Sequence, residues 1–167
     1  MYTKSGERHF PQFSPLSLLE EFFFQLDWSY SYINDTELTA EIPGRWCVYS
    51  LFASWKEETE SLMISASIDM KIPNNKRQFI DTLLSSINPR LWFGHFEVAP
   101  EVECLSFRYN LILRGSPSAT LEQVEEIVMA AVTECDRLYP ALQFVLWGGK
   151  TPEEALMAAM METHGEA

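Results

Sequence analysis

The stretch "SLMISASIDMKIP", residues 61–73, decides the fold. Leu62, Ile64, Ala66, Ile68, Met70 and Ile72 occupy alternate positions, with Ser65, Ser67, Asp69 and Lys71 between them. A period of two is that of a β-strand, whose successive side chains point to opposite faces. One apolar face and one polar face mean a sheet covered on one side only, as in antiparallel meanders.

Working outward, "RWCVYSLFASW" from Arg45 is rich in β-branched and aromatic residues and reads as a strand. "TELTAEIPG" before it reads as a shorter one, ended by Pro43-Gly44. Further upstream, Leu18, Leu19, Phe22, Phe23 and Leu26 recur at helical spacing. Ser14 as cap and Pro15 in the first turn predict a helix over about 15–27. Downstream, Phe79, Ile80, Leu83, Leu84 and Ile87 predict a second helix, ended by Asn88-Pro89. "LWFGHFEVAP" and "ECLSFRYNLILRG" read as strands joined by a turn near Pro100-Glu101. Thr120 with Gln123 forms a capping box ahead of a long third helix. Tyr139-Pro140 is expected to kink or split it, because proline lacks the amide hydrogen and crowds the preceding turn. A last helix is expected from Pro152 to about Glu162.

The order is α-β-β-β-α-β-β-α with a C-terminal helical extension. Strands in blocks rather than strict alternation give an α+β fold, a twisted antiparallel sheet with helices on one face. Residues 14–167 read as a single domain, and residues 1–13, polar with scattered aromatics, as a flexible arm.

"GGKT", residues 148–151, looks like the tail of a phosphate-binding loop. That loop needs another glycine five residues before Gly149, and residue 144 is Phe. The upstream segment also reads as helix, not strand. Helix punctuation accounts for the residues instead: a glycine ends one helix, Thr151 caps the next, Pro152 opens it and Glu154 closes a capping box. Lys150 then reads as a solvated charge.

The 167 residues carry 24 acidic and 12 basic side chains, a formal charge of −12. Such a surface repels nucleic acid and anionic lipid, whose binding depends on basic patches. It suits basic protein segments. Neither a signal-peptide core nor a membrane-length apolar run is visible, so a cytoplasmic protein without membrane insertion is expected. Cys47, Cys104 and Cys135 form no CxxC pair and read as reduced, buried thiols.

Few residues suggest chemistry. His95 sits between aromatics in "WFGHFEV", and Cys104 on the next strand is a conceivable nucleophile for it, but no third group orients the pair. The acid pairs Glu20-Glu21, Glu57-Glu58, Glu125-Glu126 and Glu153-Glu154 read as solvated faces. No HExxH, DxD or GxSxG motif occurs. No catalytic residue, metal ligand or cofactor site is therefore assigned. What remains is apolar surface. "ALMAAMMETHG" offers Leu156, Met157, Met160 and Met161, which suit either packing or an adaptable partner. Phe22, Phe23 and Phe24 span more than half a helix turn, so one of them, Phe24, is expected near an interface.

"NPRLWFGHFEV", "LSFRYNLILRG" and "YPALQFVLWGGKTPEEALMAAMMETHGEA" resemble the YbjN-type family of bacterial proteins, labelled sensory transduction regulators. The resemblance runs from about residue 14 to the C-terminus. It implies a fold like that of type III secretion chaperones, and it makes Trp92, Gly94, His95, Phe96, Arg108, Tyr139, Pro140, Trp147, Gly148 and Gly149 family-type positions. It supplies no catalytic site. The leading expectation is a non-enzymatic regulator that binds an unidentified protein partner and forms a homodimer. Its interaction surface is expected to draw on Phe24, Trp92, His95, Arg108, Trp147, Leu156, Met157, Met160 and Met161. A chaperone for a secreted or membrane-associated client is one alternative. A small-molecule sensor with a pocket near His95, Glu97 and Arg108 is another.

Overall fold

A computed structural model describes residues 14–98, 103–116 and 118–164, the last four of them by backbone alone. The arm expected over residues 1–13 and the turn expected near Pro100-Glu101 lie outside the described residues.

Six strands make one antiparallel sheet in the order β1-β2-β3-β4-β6-β5. They are β1 (Tyr30–Asn34), β2 (Glu37–Pro43), β3 (Val48–Lys56), β4 (Ser61–Lys71), β5 (His95–Val98) and β6 (Cys104–Ile112). The alternating stretch is β4, and it sits centrally between β3 and β6. Ala66 faces Leu51 on one neighbour and Phe107 on the other. Leu62, Ile64, Ala66 and Ile68 are buried to the last per cent. A one-residue slip would expose each large side chain at a cost of about 1.5–3 kcal/mol, which fixes the register.

The helices are α1 (Leu16–Gln25), α2 (Arg77–Ile87), α3 (Leu121–Leu146) and α4 (Pro152–His164). Buried Leu16, Leu19, Phe22 and Phe23 place α1 against β2, β3 and α3. The N-cap of α1 is Pro15, without a side-chain cap, rather than Ser14 as expected; the Ser14 hydroxyl still accepts from the Leu16 amide at 3.4 Å. α3 lies on β4 and β6, and α4 packs on α3 and α2. Among the described residues the opposite face of the sheet carries no helix. Its central row runs Ser31, Thr39, Phe52, Ser65, Arg108 and His95 across all six strands.

The strand order and the third helix need correction. The segment "YSYIN" forms β1, a strand absent from the anticipated order. It is an edge strand with half-buried Tyr30 and Tyr32, whose hydroxyls donate to the Glu20 carboxylate at 3.1 and 3.0 Å. Glu20 is therefore a tie between α1 and β1, not part of a solvated face. The second correction concerns α3, which is neither split nor ended at Pro140 but runs through it as one 26-residue helix. Its Thr120–Gln123 capping box forms as read, at 3.2 and 3.0 Å.

The "GGKT" turn is punctuation. Gly149 takes the left-handed conformation (φ 65°) past the end of α3. The Glu154 amide donates to Thr151 Oγ1 at 3.3 Å, and the Thr151 amide donates to Glu154 Oε2 at 3.0 Å. Lys150 is not simply solvated, since its ammonium lies over the Phe144 ring, 5.5 Å from the centroid.

Candidate functional site

The residues expected to share an interaction surface fall on separate parts of the fold. His95 and Arg108 face each other across β5 and β6 on the helix-free side of the sheet. Glu97 stands one step further along that face. Arg108 Nη1 donates to Glu97 Oε1 at 3.2 Å, and His95 Nε2 lies 3.5 Å from Glu97 Oε2. Arg108 Nε is buried without a hydrogen-bond partner. The sequence brought these three together correctly. Among the described residues no cleft gathers these three side chains, each of which is partly exposed on the face of the sheet. The pairing of His95 with Cys104 does not form. Arg108 is the register partner of His95, and Cys104 lies four residues further along β6, about 13 Å away at strand spacing.

A cleft lies on the other side, among the helices. It holds about 440 Å³ between α2, α3 and α4. Ile87, Leu91, Phe96, Leu138, Ala141, Leu156, Ala159 and Met160 give it apolar walls, while Arg90, Glu134 and Arg137 are its polar residues. Asn88 builds one side. Its amide donates to the Phe96 carbonyl at 2.9 Å, and its side-chain oxygen accepts from the Phe96 amide at 2.8 Å. That pair of hydrogen bonds closes the outer edge of β5, and the alternation of the strand turns the buried Phe96 ring inward, away from His95 and Glu97. The Phe96 ring then meets Phe107 edge-on at 5.3 Å. Arg137 is engaged by Glu134 at 2.9 and 3.2 Å. Arg90 is exposed, and among the described residues no carboxylate lies within ion-pair distance of it.

Leu156 and Met160 reach this cleft. Met157 points outward from α4, and the side chain of Met161 lies outside the described residues. Trp147 follows the last turn of α3 and is largely exposed. Trp92 is 93% exposed in the segment before β5. Phe24 is the outward member of its trio, while Phe22 and Phe23 are buried. Arg90 and Glu134 escaped the sequence reading, because their meeting depends on how α2 and α3 cross. The signal that existed was Asn88-Pro89, read only as a helix stop.

Of the thiols, Cys135 alone is buried; Cys47 and Cys104 are half-buried, which corrects the expectation for those two. Among the described residues no three His, Cys, Asp or Glu side chains gather to hold a metal. No described helix is long and apolar enough to cross a membrane.

The model of the YbjN family, described as "Putative bacterial sensory transduction regulator", matches residues 15–144. The crystal structure of YbjN from E. coli is similar in fold, with a TM-score of 0.52 at 15% identity over 72% of this chain and 85% of that one. No curated protein sequence matches the chain. The family match ends within α3, so α4 and its wall of the cleft lie beyond it.

Proposed function

The chain belongs to the YbjN family, and from that premise we propose that it is a regulator that works by binding another protein, without chemistry of its own. One observation carries the reading. α4 turns Ala155 and Ala159 inward and leaves Met157 67% exposed, while Trp147 before it is 68% exposed. Large apolar side chains exposed on a folded surface suit an interface. Methionine adapts to the shape of a partner, and tryptophan is a frequent anchor of binding energy. The charge of −12 disfavours nucleic acid and anionic lipid as alternatives.

The test is an affinity capture from the native host with the wild-type chain and with a Trp147→Ser/Met157→Glu double variant. Circular dichroism melting confirms that both are folded, and light scattering gives the mass of what elutes. A stoichiometric protein that the wild type retains and the variant loses supports the reading. A partner kept equally by both, or none at all, ends it. A second copy of the chain, lost in the variant, would make the same surface a homodimer face.

A further inference from the structure

We propose that the cleft between α2, α3 and α4 binds a free amphiphilic anion, an aliphatic carboxylate whose chain lies in the cleft and whose head group reaches Arg90. This stands apart from the protein-binding reading, which rests on Trp147 and Met157.

Size comes first. The cleft of about 440 Å³ falls within the range of small-molecule sites, roughly 300–1,000 Å³. Its floor is apolar, formed where the closely packed Phe96, Leu138 and Ala141 meet. Leu156 and Met160 add flexible apolar walls. A polar ligand would lose its hydration there without compensation, whereas an aliphatic chain gains by burial.

Charge then selects the head group. The Arg137 guanidinium is already engaged by Glu134. Arg90 has no such partner among the described residues, so the cleft carries one uncompensated positive charge. This occurs in a chain with 24 acidic and 12 basic residues. A guanidinium offers a planar fork of donors that fits a carboxylate. The site is also preorganised. The Asn88 clamp on Phe96 holds the turn that carries Arg90, so little order need be gained on binding.

The experiment titrates the full chain with laurate below its micellar concentration, by calorimetry, with dodecylammonium as the oppositely charged control. Laurate is expected to bind saturably, one per chain, and dodecylammonium at least about tenfold more weakly, the worth of one charge-assisted hydrogen bond. Arg90→Glu should weaken laurate by about the same factor and strengthen dodecylammonium. Met160→Trp should fill the cleft and weaken both; if that variant loses its fold, Arg90→Glu, at an exposed position, still decides the matter. Neutral phosphatidylcholine vesicles carrying laurate should leave the chain in the supernatant. The proposal is overturned by absence of saturable binding, by equal affinity for the two amphiphiles, by laurate binding indifferent to Arg90→Glu, or by sedimentation of the chain with the vesicles.

Discussion

Trp46 donates its indole N–H to the Asp136 carbonyl at 3.0 Å, and that oxygen lies four residues before Pro140 in α3. A helix would give this carbonyl the amide hydrogen of residue 140, which proline lacks. The loop between β2 and β3 supplies the missing donor. Tyr139 stacks on the same indole, 6.0 Å between centroids and 6° between planes. The Asp136 carboxylate accepts from the Arg45 amide at 2.8 Å and from the Tyr49 hydroxyl at 2.6 Å. A proline in a continuous helix is thus compensated by a sheet loop docked on it.

Trp46→Phe should therefore cost about 1 kcal/mol, the worth of a hydrogen bond whose acceptor stays unpaired. In a Pro140→Ala background the residue 140 amide can serve the carbonyl, so the same substitution should cost less. Urea unfolding of the four proteins gives the coupling, expected at about 0.5–1 kcal/mol. Equal costs in the two backgrounds would show that the indole contributes by packing alone.

Gly94 and Gly149 share a left-handed backbone, with φ of 64° and 65°. Their surroundings differ. A Cβ on Gly94 would meet the Phe107 ring at 2.5 Å and the Arg108 carbonyl at 2.6 Å, whereas one on Gly149 meets nothing within 4 Å. Gly149→Ala should cost only the conformational term, about 1–2 kcal/mol. Gly94→Ala adds a clash with the central sheet and should cost about 2–4 kcal/mol. Chemical denaturation of the two variants ranks them, and similar losses would mean that the turn before β5 relaxes freely.

The parts of the fold that were legible in the sequence are those fixed by local chemistry. The alternation of Leu62 to Ile72 set β4 and its buried face, and Thr120 with Gln123 and Thr151 with Glu154 set two helix starts. β1 was missed because a five-residue edge strand with two tyrosines and no aliphatic pattern on its inner face gives little periodicity. The continuity of α3 could not be read locally, since it depends on Trp46, ninety residues from Asp136 in the chain. The candidate site divides in the same way. His95, Glu97 and Arg108 were joined by strand pairing, which sequence order suggests. The cleft was not foreseen, because Arg90, Leu138 and Met160 come from three elements whose packing angles no motif encodes.

Alkaline pH should destabilise the protein in a way that two residues control. Burial, then the hydrogen bond to Asp136, pushes the Tyr49 hydroxyl far above its ordinary value of 10.0. Burial does the same to the Cys135 thiol, whose ordinary value is 9.0. Both folded values are raised, so the stabilisation is complete below the unfolded values and declines as pH rises above them. The unfolded chain releases these protons from about pH 9 upward and the folded chain does not, which costs up to about 1.4 kcal/mol per pH unit for each group. Cys135→Ala should flatten the decline from about pH 9, and Tyr49→Phe should flatten it above about pH 10, each at some cost to stability at neutral pH. Melting temperatures between pH 7 and 11 follow the effect; identical slopes in wild type and both variants would mean other groups govern it.

The three thiols should separate kinetically. Reaction with Ellman's reagent proceeds through the thiolate, so access and acidity together set the rate. Cys135 is fully buried, and its sulfur lies 3.9 Å from the Ala66 carbonyl beneath the sheet. It should react only when α3 leaves β4, at a rate set by opening of the fold. Cys47 and Cys104 are half-buried. Burial raises both, with Asp136 and Asp69 adding to Cys47 and Asp69 to Cys104. They should react in the native state, more slowly than free cysteine at pH 8. The expected trace has a slow native phase that the Cys47→Ser and Cys104→Ser variants each diminish. A later phase should disappear in Cys135→Ser and become fast in urea. Rapid reaction of all three thiols without denaturant would mean that α3 does not stay seated on the sheet in solution.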